Sequence, residues 1–155
     1  MSQYLTFMLG RETLALGILC IKEILEYGHP TEVPMMPSFI RGVINLRGAV
    51  VPVLDLAARL QRPSQPVTKK TCIVIVEMQL NEERQVIGIV VDAVNEVLEI
   101  AASEIEAPPT FGTAIRSEFI AGLGKVNGKF VIVLDVNQVL SMEDAALLAE
   151  HTAAA

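Results

Sequence analysis

The sequence predicts a mainly β protein made of two related, strand-rich units packed on each other. Two observations carry this: a phrase that occurs twice, and a series of short β-branched runs of strand length. FIRGVINLRGAVVPVLDL, residues 39–56, returns as FIAGLGKVNGKFVIVLDV, residues 119–136. Aligned without gaps, the copies share Phe39/Phe119, Ile40/Ile120, Gly42/Gly122, Gly48/Gly128, Val51/Val131, Val53/Val133, Leu54/Leu134 and Asp55/Asp135. Shared composition alone would not hold both glycines and both aspartates in register. The chain has 155 residues, of which 52% are hydrophobic, so a sizeable core is available. Units of roughly 60–80 residues would be marginal alone, because small domains bury too little surface. They are expected to share an apolar seam.

YLTFML, residues 14–21, TCIVIVEM, residues 86–91, AVVPVLDL and KFVIVLDV have the length and the Val/Ile/Leu content of strands rather than a helical period. Pro52 predicts an edge strand or a bulge, because proline cannot donate to a ladder. Its repeat counterpart is Ile132. INLRGAV and KVNGKFV each place a glycine between apolar runs, a hairpin signal, with Asn127-Gly128 the stronger of the two. DLAARL is expected to make a short helix ended by Pro63, and DVNQVL its counterpart with Asp135 as N-cap. Ser141 to Glu150 reads as a last helix with a capping arrangement at Ser141 to Asp144. The repeat extends further. Glu23-Ile24-Leu25-Glu26 recurs as Glu96-Val97-Leu98-Glu99, and a proline pair precedes each Phe-Ile. RPSQPVTKK, residues 62–70, is the one linker-like stretch. It divides a single domain, 1–155, into a first β-unit of about 1–66 and a second of about 67–155, with exchange of strands between units left open.

Net charge is -6, aromatic content is 5% and there is no Trp. An oligonucleotide- or sugar-binding barrel needs a basic, aromatic-lined face, so that class is disfavoured. Cys20 and Cys72 read as buried free thiols, and His29 and His151 stand far apart. No Cys/His/Asp cluster has ligand spacing, so neither metal nor cofactor is expected. Asp55 and Asp135 resemble a carboxylate pair, yet they occupy equivalent repeat positions where helix capping accounts for both. With no nucleophile–base pair, the sequence points away from an enzyme. Apolar runs such as LALGILCI fall far short of the ~20 residues of a membrane helix. No signal-peptide pattern opens the chain, so a cytoplasmic location is expected. The high apolar fraction points to a partner interface.

GVINLRGAVVPVLDL, preceded by Pro37-Ser38-Phe39-Ile40-Arg41, resembles the signature of the CheW family of chemotaxis coupling proteins. IKEI at 21–24, GIVVDAV at 88–94 and GLG at 122–124 carry the resemblance along nearly the whole chain. It implies two small five-stranded SH3-like β-barrels packed side by side, with short helices and a C-terminal helix. It implies no catalysis and no cofactor. Members are adaptors that bridge chemoreceptor cytoplasmic tips to a histidine autokinase whose regulatory domain has a similar fold. The expected setting is the receptor array at the inner face of the membrane, without insertion and without nucleic acid. The alternative is a CheW-like adaptor of a parallel kinase pathway such as twitching motility, and a further one is a small β-barrel binding a ligand or oligonucleotide.

By this resemblance Glu23, Asn45, Leu46, Arg47, Gly48, Val90 and Val97 line a groove for the receptor's helical hairpin. Ile18, Ile21 and Ile24 face the kinase regulatory domain. The residues themselves leave other readings open. Val90, Val97 and the three isoleucines serve equally well as core. Arg47 has the neutral counterpart Asn127, so the turn does not itself require a charge. Arg41 reads either as a further functional arginine or simply as an exposed partner of Glu32. Gly42, Gly122 and Gly128 are expected at structural turns, where left-handed backbone or close approach demands glycine, and Gly48 shares that reading.

Overall fold

A computed structural model describes residues 2–80, 83–107 and 119–139. The strands are β1 (Ser2–Leu9), β2 (Glu12–Gly17), β3 (Ile21–Glu26), β4 (Ile40–Leu46), β5 (Ala49–Asp55), β6 (Cys72–Leu80), β7 (Glu83–Val91), β8 (Ala93–Ile100), β9 (Ile105–Glu106), β10 (Ile120–Val126) and β11 (Lys129–Leu134). Two one-turn helices, α1 (Leu56–Arg59) and α2 (Val136–Val139), follow the two repeated strands. The expected helix at Ser141 to Glu150, residues 111–118 and His151 lie outside the described residues.

The strands form two sheets, one in the order β8-β1-β2-β11-β10-β9 and one in the order β3-β6-β7-β5-β4. Under the repeat, β8, β11 and β10 correspond to β3, β5 and β4. The two orders are then the same, with β9 added to one. Sheet membership crosses the expected division at 66/67. The β1–β2 hairpin completes the sheet of the second half, and the β6–β7 hairpin completes that of the first. Two parallel pairings make the crossing, Ala15 with Val133 and Val53 with Gly88. A parallel pairing requires a long connection, and each hairpin reaches its place only through the other half.

Each sheet is apolar on both faces. Side chains alternate along a strand, so one set faces the seam and the other the far side. The seam holds Leu5, Phe7, Leu14 and Leu16 from one sheet against Leu54, Val74, Val76 and Ile89 from the other. On its second face the five-stranded sheet gathers Val51, Val53, Ile73, Ile75 and Val90. The six-stranded sheet gathers Ala15, Val131 and Val133. Burial on both faces is why CIVIV and VVPVLD read as unbroken apolar runs.

Among the described residues no ladder joins β3 to β4 or β8 to β9, so hydrogen bonding closes neither sheet into the expected barrel. Side chains draw the edges of the five-stranded sheet together instead. Leu25 and Tyr27, at the β3 edge, pack with Ile44 and Leu46 of β4 around one cluster.

Pro52 departs from expectation. β5 lies between β7 and β4, so it is not an edge. Val43, opposite Pro52, exchanges both backbone hydrogen bonds with Thr31 at 2.9 Å each. The proline nitrogen therefore faces away from β4, at a point before the parallel pairing with β7 begins at Val53. No ladder donor is lost. The irregularity sits instead at Ile40/Gly42 and recurs at Ile120/Gly122.

Gly42 and Gly122 lie inside β4 and β10 rather than in turns. A Cβ on Gly42 would strike the Thr31 carbonyl oxygen, and one on Gly122 would strike Ile105 and come within 2.9 Å of the Glu106 carbonyl oxygen. Glycine is needed at both places because another segment crosses the strand there. Only Gly42 also has left-handed φ, at +146°.

Both aspartates cap their helices. Asp55 accepts from the Ala58 N–H at 3.2 Å, and Asp135 from Asn137 and Gln138 at 3.1 and 3.3 Å. Arg59 of α1 ties the copies together. Its guanidinium lies 5.5 Å from the Phe39 ring centroid and 5.0 Å from that of the repeat counterpart Phe119. It also donates to the Val139 carbonyl at 2.8 Å, at the end of α2.

Candidate partner-binding site

The β4–β5 hairpin turns on Arg47 (φ +51°) and Gly48 (φ +85°), both left-handed, as a two-residue hairpin loop requires. Asn45 Oδ1 accepts the Gly48 N–H at 2.9 Å and braces the turn. Across from it, β3 carries Glu23 beside its own irregularity at Ile21/Glu23. Arg47 Nη2 donates to Glu23 Oε2 at 2.7 Å. β3 and β4 are opposite edges of the five-stranded sheet, so this ion pair spans the gap that hydrogen bonding leaves open.

The pair is asymmetric. The Arg47 side chain is 75% exposed and that of Glu23 24%. Glu23 Oε1 is buried and has no hydrogen-bond partner among the described residues. The bond to Glu23 raises the Arg47 pKa further above its ordinary value. The site thus offers an exposed guanidinium held by a half-buried carboxylate.

Arg41 plays a different part from the one expected. It pairs with Asp55 rather than Glu32, through Nη2 at 2.9 Å and Nε at 3.1 Å, and donates to the Tyr27 hydroxyl at 3.1 Å. Asp55 is 7% exposed and also accepts from Ser64 Oγ at 2.6 Å. Partial burial works against the Arg41 cation, but the bonds to Tyr27 and Asp55 outweigh it and its pKa is raised. The two arginines of the first copy therefore do separate jobs. Arg41 neutralises a buried carboxylate and Arg47 faces outward.

The structure brings Glu23, Asn45, Arg47 and Gly48 together. Leu46 is half-buried against the five-stranded sheet's own cluster, and Val90 is buried within that cluster. Val97 lies on β8, in the other sheet, and is exposed. Ile18, in a single 3-10 turn, and Ile21, on β3, pack against the seam, whereas Ile24 is exposed. Sequence reasoning missed Leu19, which is 100% exposed between Ile18 and Cys20, and Met35, exposed at left-handed φ. Ile18, Ile21 and Ile24 stand three residues apart but are not equally buried, because a 3-10 turn passes into a strand between them. Alternation along β3 turns Ile24 outward and Ile21, Glu23 and Leu25 inward.

Cys20 and Cys72 are free and half-buried rather than fully buried. Burial pushes both thiols up. Among the described residues no group of three or more His, Cys, Asp or Glu side chains is placed to hold a metal ion. No helix among them is long and apolar enough to cross a membrane.

Residues 3–144 match the family model described as a CheW-like domain. The chain is 35% identical over 146 residues to a chemotaxis protein CheW from Klebsiella aerogenes, covering 94% of this chain and 86% of that protein. It is 33% identical over 141 residues to a chemotaxis protein CheW from Bacillus subtilis, covering 91% and 88%. The crystal structure of the scaffolding protein TtCheW from Thermoanaerobacter tengcongensis is similar at a TM-score of 0.82 and 33% identity, covering 92% of this chain and 90% of that one. The doubled strand-turn-strand, the two-sheet fold and these similarities agree that the chain belongs to the CheW family of chemotaxis adaptor scaffolds.

Proposed function

We propose that this chain is a non-catalytic coupler that bridges chemoreceptor cytoplasmic tips to a histidine autokinase, at receptor arrays on the inner face of the membrane. Glu23, Asn45, Leu46, Arg47 and Gly48 form the receptor side, with Val90 beneath and Val97 beside it. Ile24 presents the apolar contact to the kinase regulatory domain, with Ile18 and Ile21 anchoring the segment behind it.

One observation carries the reading. Arg47 holds a left-handed backbone that the second copy gives to Asn127, and its charge reaches the surface on a half-buried glutamate. A turn selected for folding alone would use asparagine or glycine at that position. An arginine there supplies a fixed, directional donor to a partner.

Calorimetric titration tests it, against a soluble receptor-tip fragment and against the kinase regulatory domain, with wild type and Arg47→Ala. Both partners bind, and the substitution weakens the receptor fragment about tenfold while changing the kinase domain less than about twofold. Binding to neither partner overturns the coupling role. Equal loss at both means that Arg47 maintains the fold rather than the contact.

A further inference from the structure

Register relates the two units residue by residue. Ala15 and Gly88 each face the same repeat valine, Val133 or Val53, across a parallel ladder. Thr6, opposite Ala15, then stands where the first unit has Ile75, opposite Gly88. Thr13 stands where it has Val86, two residues before Ala15 and Gly88 on their strands. Two hydroxyl-bearing side chains replace two branched apolar ones. Among the described residues the second unit's own cluster holds three buried residues and the first unit's holds five.

Less filling leaves space. A groove of about 690 Å³ opens on this face between β8 and the β10–β11 hairpin, lined in part by Thr6, Thr13, Glu96, Leu98, Asn127 and Phe130. The Thr6 hydroxyl donates to the Glu96 carbonyl at 2.8 Å and accepts the Glu96 N–H at 3.2 Å. It fixes the β8 wall and is not free for a ligand.

Glu96 and Asn127 are the repeat counterparts of Glu23 and Arg47, so this is the second copy of the receptor-side position. The ion pair that spans the first copy has no equivalent here, because Asn127 carries no charge. Phe130, counterpart of Val50, is 56% exposed. Arg11 and Lys129 also line the groove, and neither forms an ion pair among the described residues. Glu12 is already neutralised by Arg62. The exposed Glu96 carboxylate stands on the same rim, so Arg11 and Lys129 face one carboxylate there and a surplus of one positive charge remains, beside an exposed aromatic ring.

We propose that this groove is a second docking site, which takes an amphipathic helix of a partner protein. The helix sets an apolar side chain against Phe130 and Leu98 and a carboxylate between Arg11 and Lys129. The surplus positive charge favours a helix whose carboxylate meets Arg11 and Lys129 and stays clear of Glu96. The recognition surface is made of side chains on a sheet face rather than a free backbone edge, which favours helix-in-groove docking over strand addition. The proposal rests on reading the first copy as a helix-docking site.

The test is chemical-shift mapping on the full chain. One probe is a synthetic helical peptide with leucine and glutamate on one face, and the other is the soluble receptor-tip fragment. The peptide is expected to shift Leu98, Asn127, Lys129 and Phe130 in both wild type and Arg47→Ala. Its affinity falls about tenfold in Lys129→Glu and in Phe130→Ser, as for central interface residues, and it weakens as salt rises. Peptide shifts confined to Glu23 and Arg47, or none, overturn the proposal. Shifts at the groove that grow with protein concentration alone mean that a second copy fills it, and also overturn it. The receptor fragment reports separately. Its shifts at Glu23 and Arg47 support the coupling role whatever the peptide does, and their absence counts against that role alone.

Discussion

Arg47 and Asn127 hold the same place in two copies of one turn, each at φ +51°. Asparagine tolerates left-handed backbone and arginine does so less readily. Arg47→Asn is therefore expected to raise the unfolding midpoint by about 2–4 °C, while weakening the receptor-tip fragment. An exposed ion pair such as Arg47–Glu23 contributes too little to reverse the sign. Thermal unfolding decides this, and a lower midpoint in the variant would show that the pair to Glu23 matters more to the fold than the backbone does.

Gly42→Ala and Gly122→Ala should each cost at least about 3 kcal/mol, since backbone or a packed isoleucine stands where the methyl must go. Gly17→Ala meets nothing within 4 Å, has no left-handed φ, and should change stability by less than about 1 kcal/mol. Denaturant midpoints of the three variants provide the comparison. A tolerant Gly42 would mean that the Thr31 bridge over β4 yields easily.

Removing Arg41 strands Asp55, which is 7% exposed. Loss of a partner from a buried pair costs about 3–5 kcal/mol, and the 23% exposure of the Arg41 side chain reduces this to about 2 kcal/mol. Receptor binding should survive in the fraction that stays folded. A variant that folds normally but loses the receptor would move Arg41 into the binding surface.

Arg59→Leu keeps the apolar stem but loses two ring contacts and the bond to the Val139 carbonyl. A loss of about 2 kcal/mol is expected. Hydrogen exchange should rise at α2 and around Phe119 more than at β1. Uniform acceleration would show that Arg59 does not specifically hold the second copy.

The raised thiols set an alkaline limit. Burial keeps Cys20 and Cys72 protonated in the folded state above their ordinary value of 9.0, so the folded chain holds more protons than the unfolded one there. Their contribution is complete below about pH 9 and is lost as pH rises through the folded-state values. The unfolding midpoint should fall between pH 8 and pH 10 less steeply in Cys20→Ala/Cys72→Ala than in wild type. Equal slopes would exclude the thiols as its source.

What could be read from the sequence was local. The Asn127-Gly128 turn and the caps at Asp55 and Asp135 are interactions over two to four residues, and their residue types declare them. The repeat located the equivalent strands, but it could not say which copy's hairpin completes which sheet, because that choice lies in the long-range pairings of Ala15 with Val133 and Val53 with Gly88. Pro52 misled because its ladder position, rather than its presence, decides whether a donor is missed. Val90 was ambiguous because a strand buried on both faces has no polar side to mark its inner one. Arg41 and Arg47 look alike in the phrase and differ only in what folds over them.

The exchange of hairpins carries a consequence for ancestry. A chain holding one copy of the repeat could satisfy the same pairings only by lending its first hairpin to a twin and borrowing one in return, as a two-fold symmetric, domain-swapped dimer. The present fold has the connectivity such a dimer would have with its subunits joined in one chain. Two halves in one chain need not be identical. One tip carries an arginine clasped by Glu23 where its sister carries an asparagine near an exposed phenylalanine.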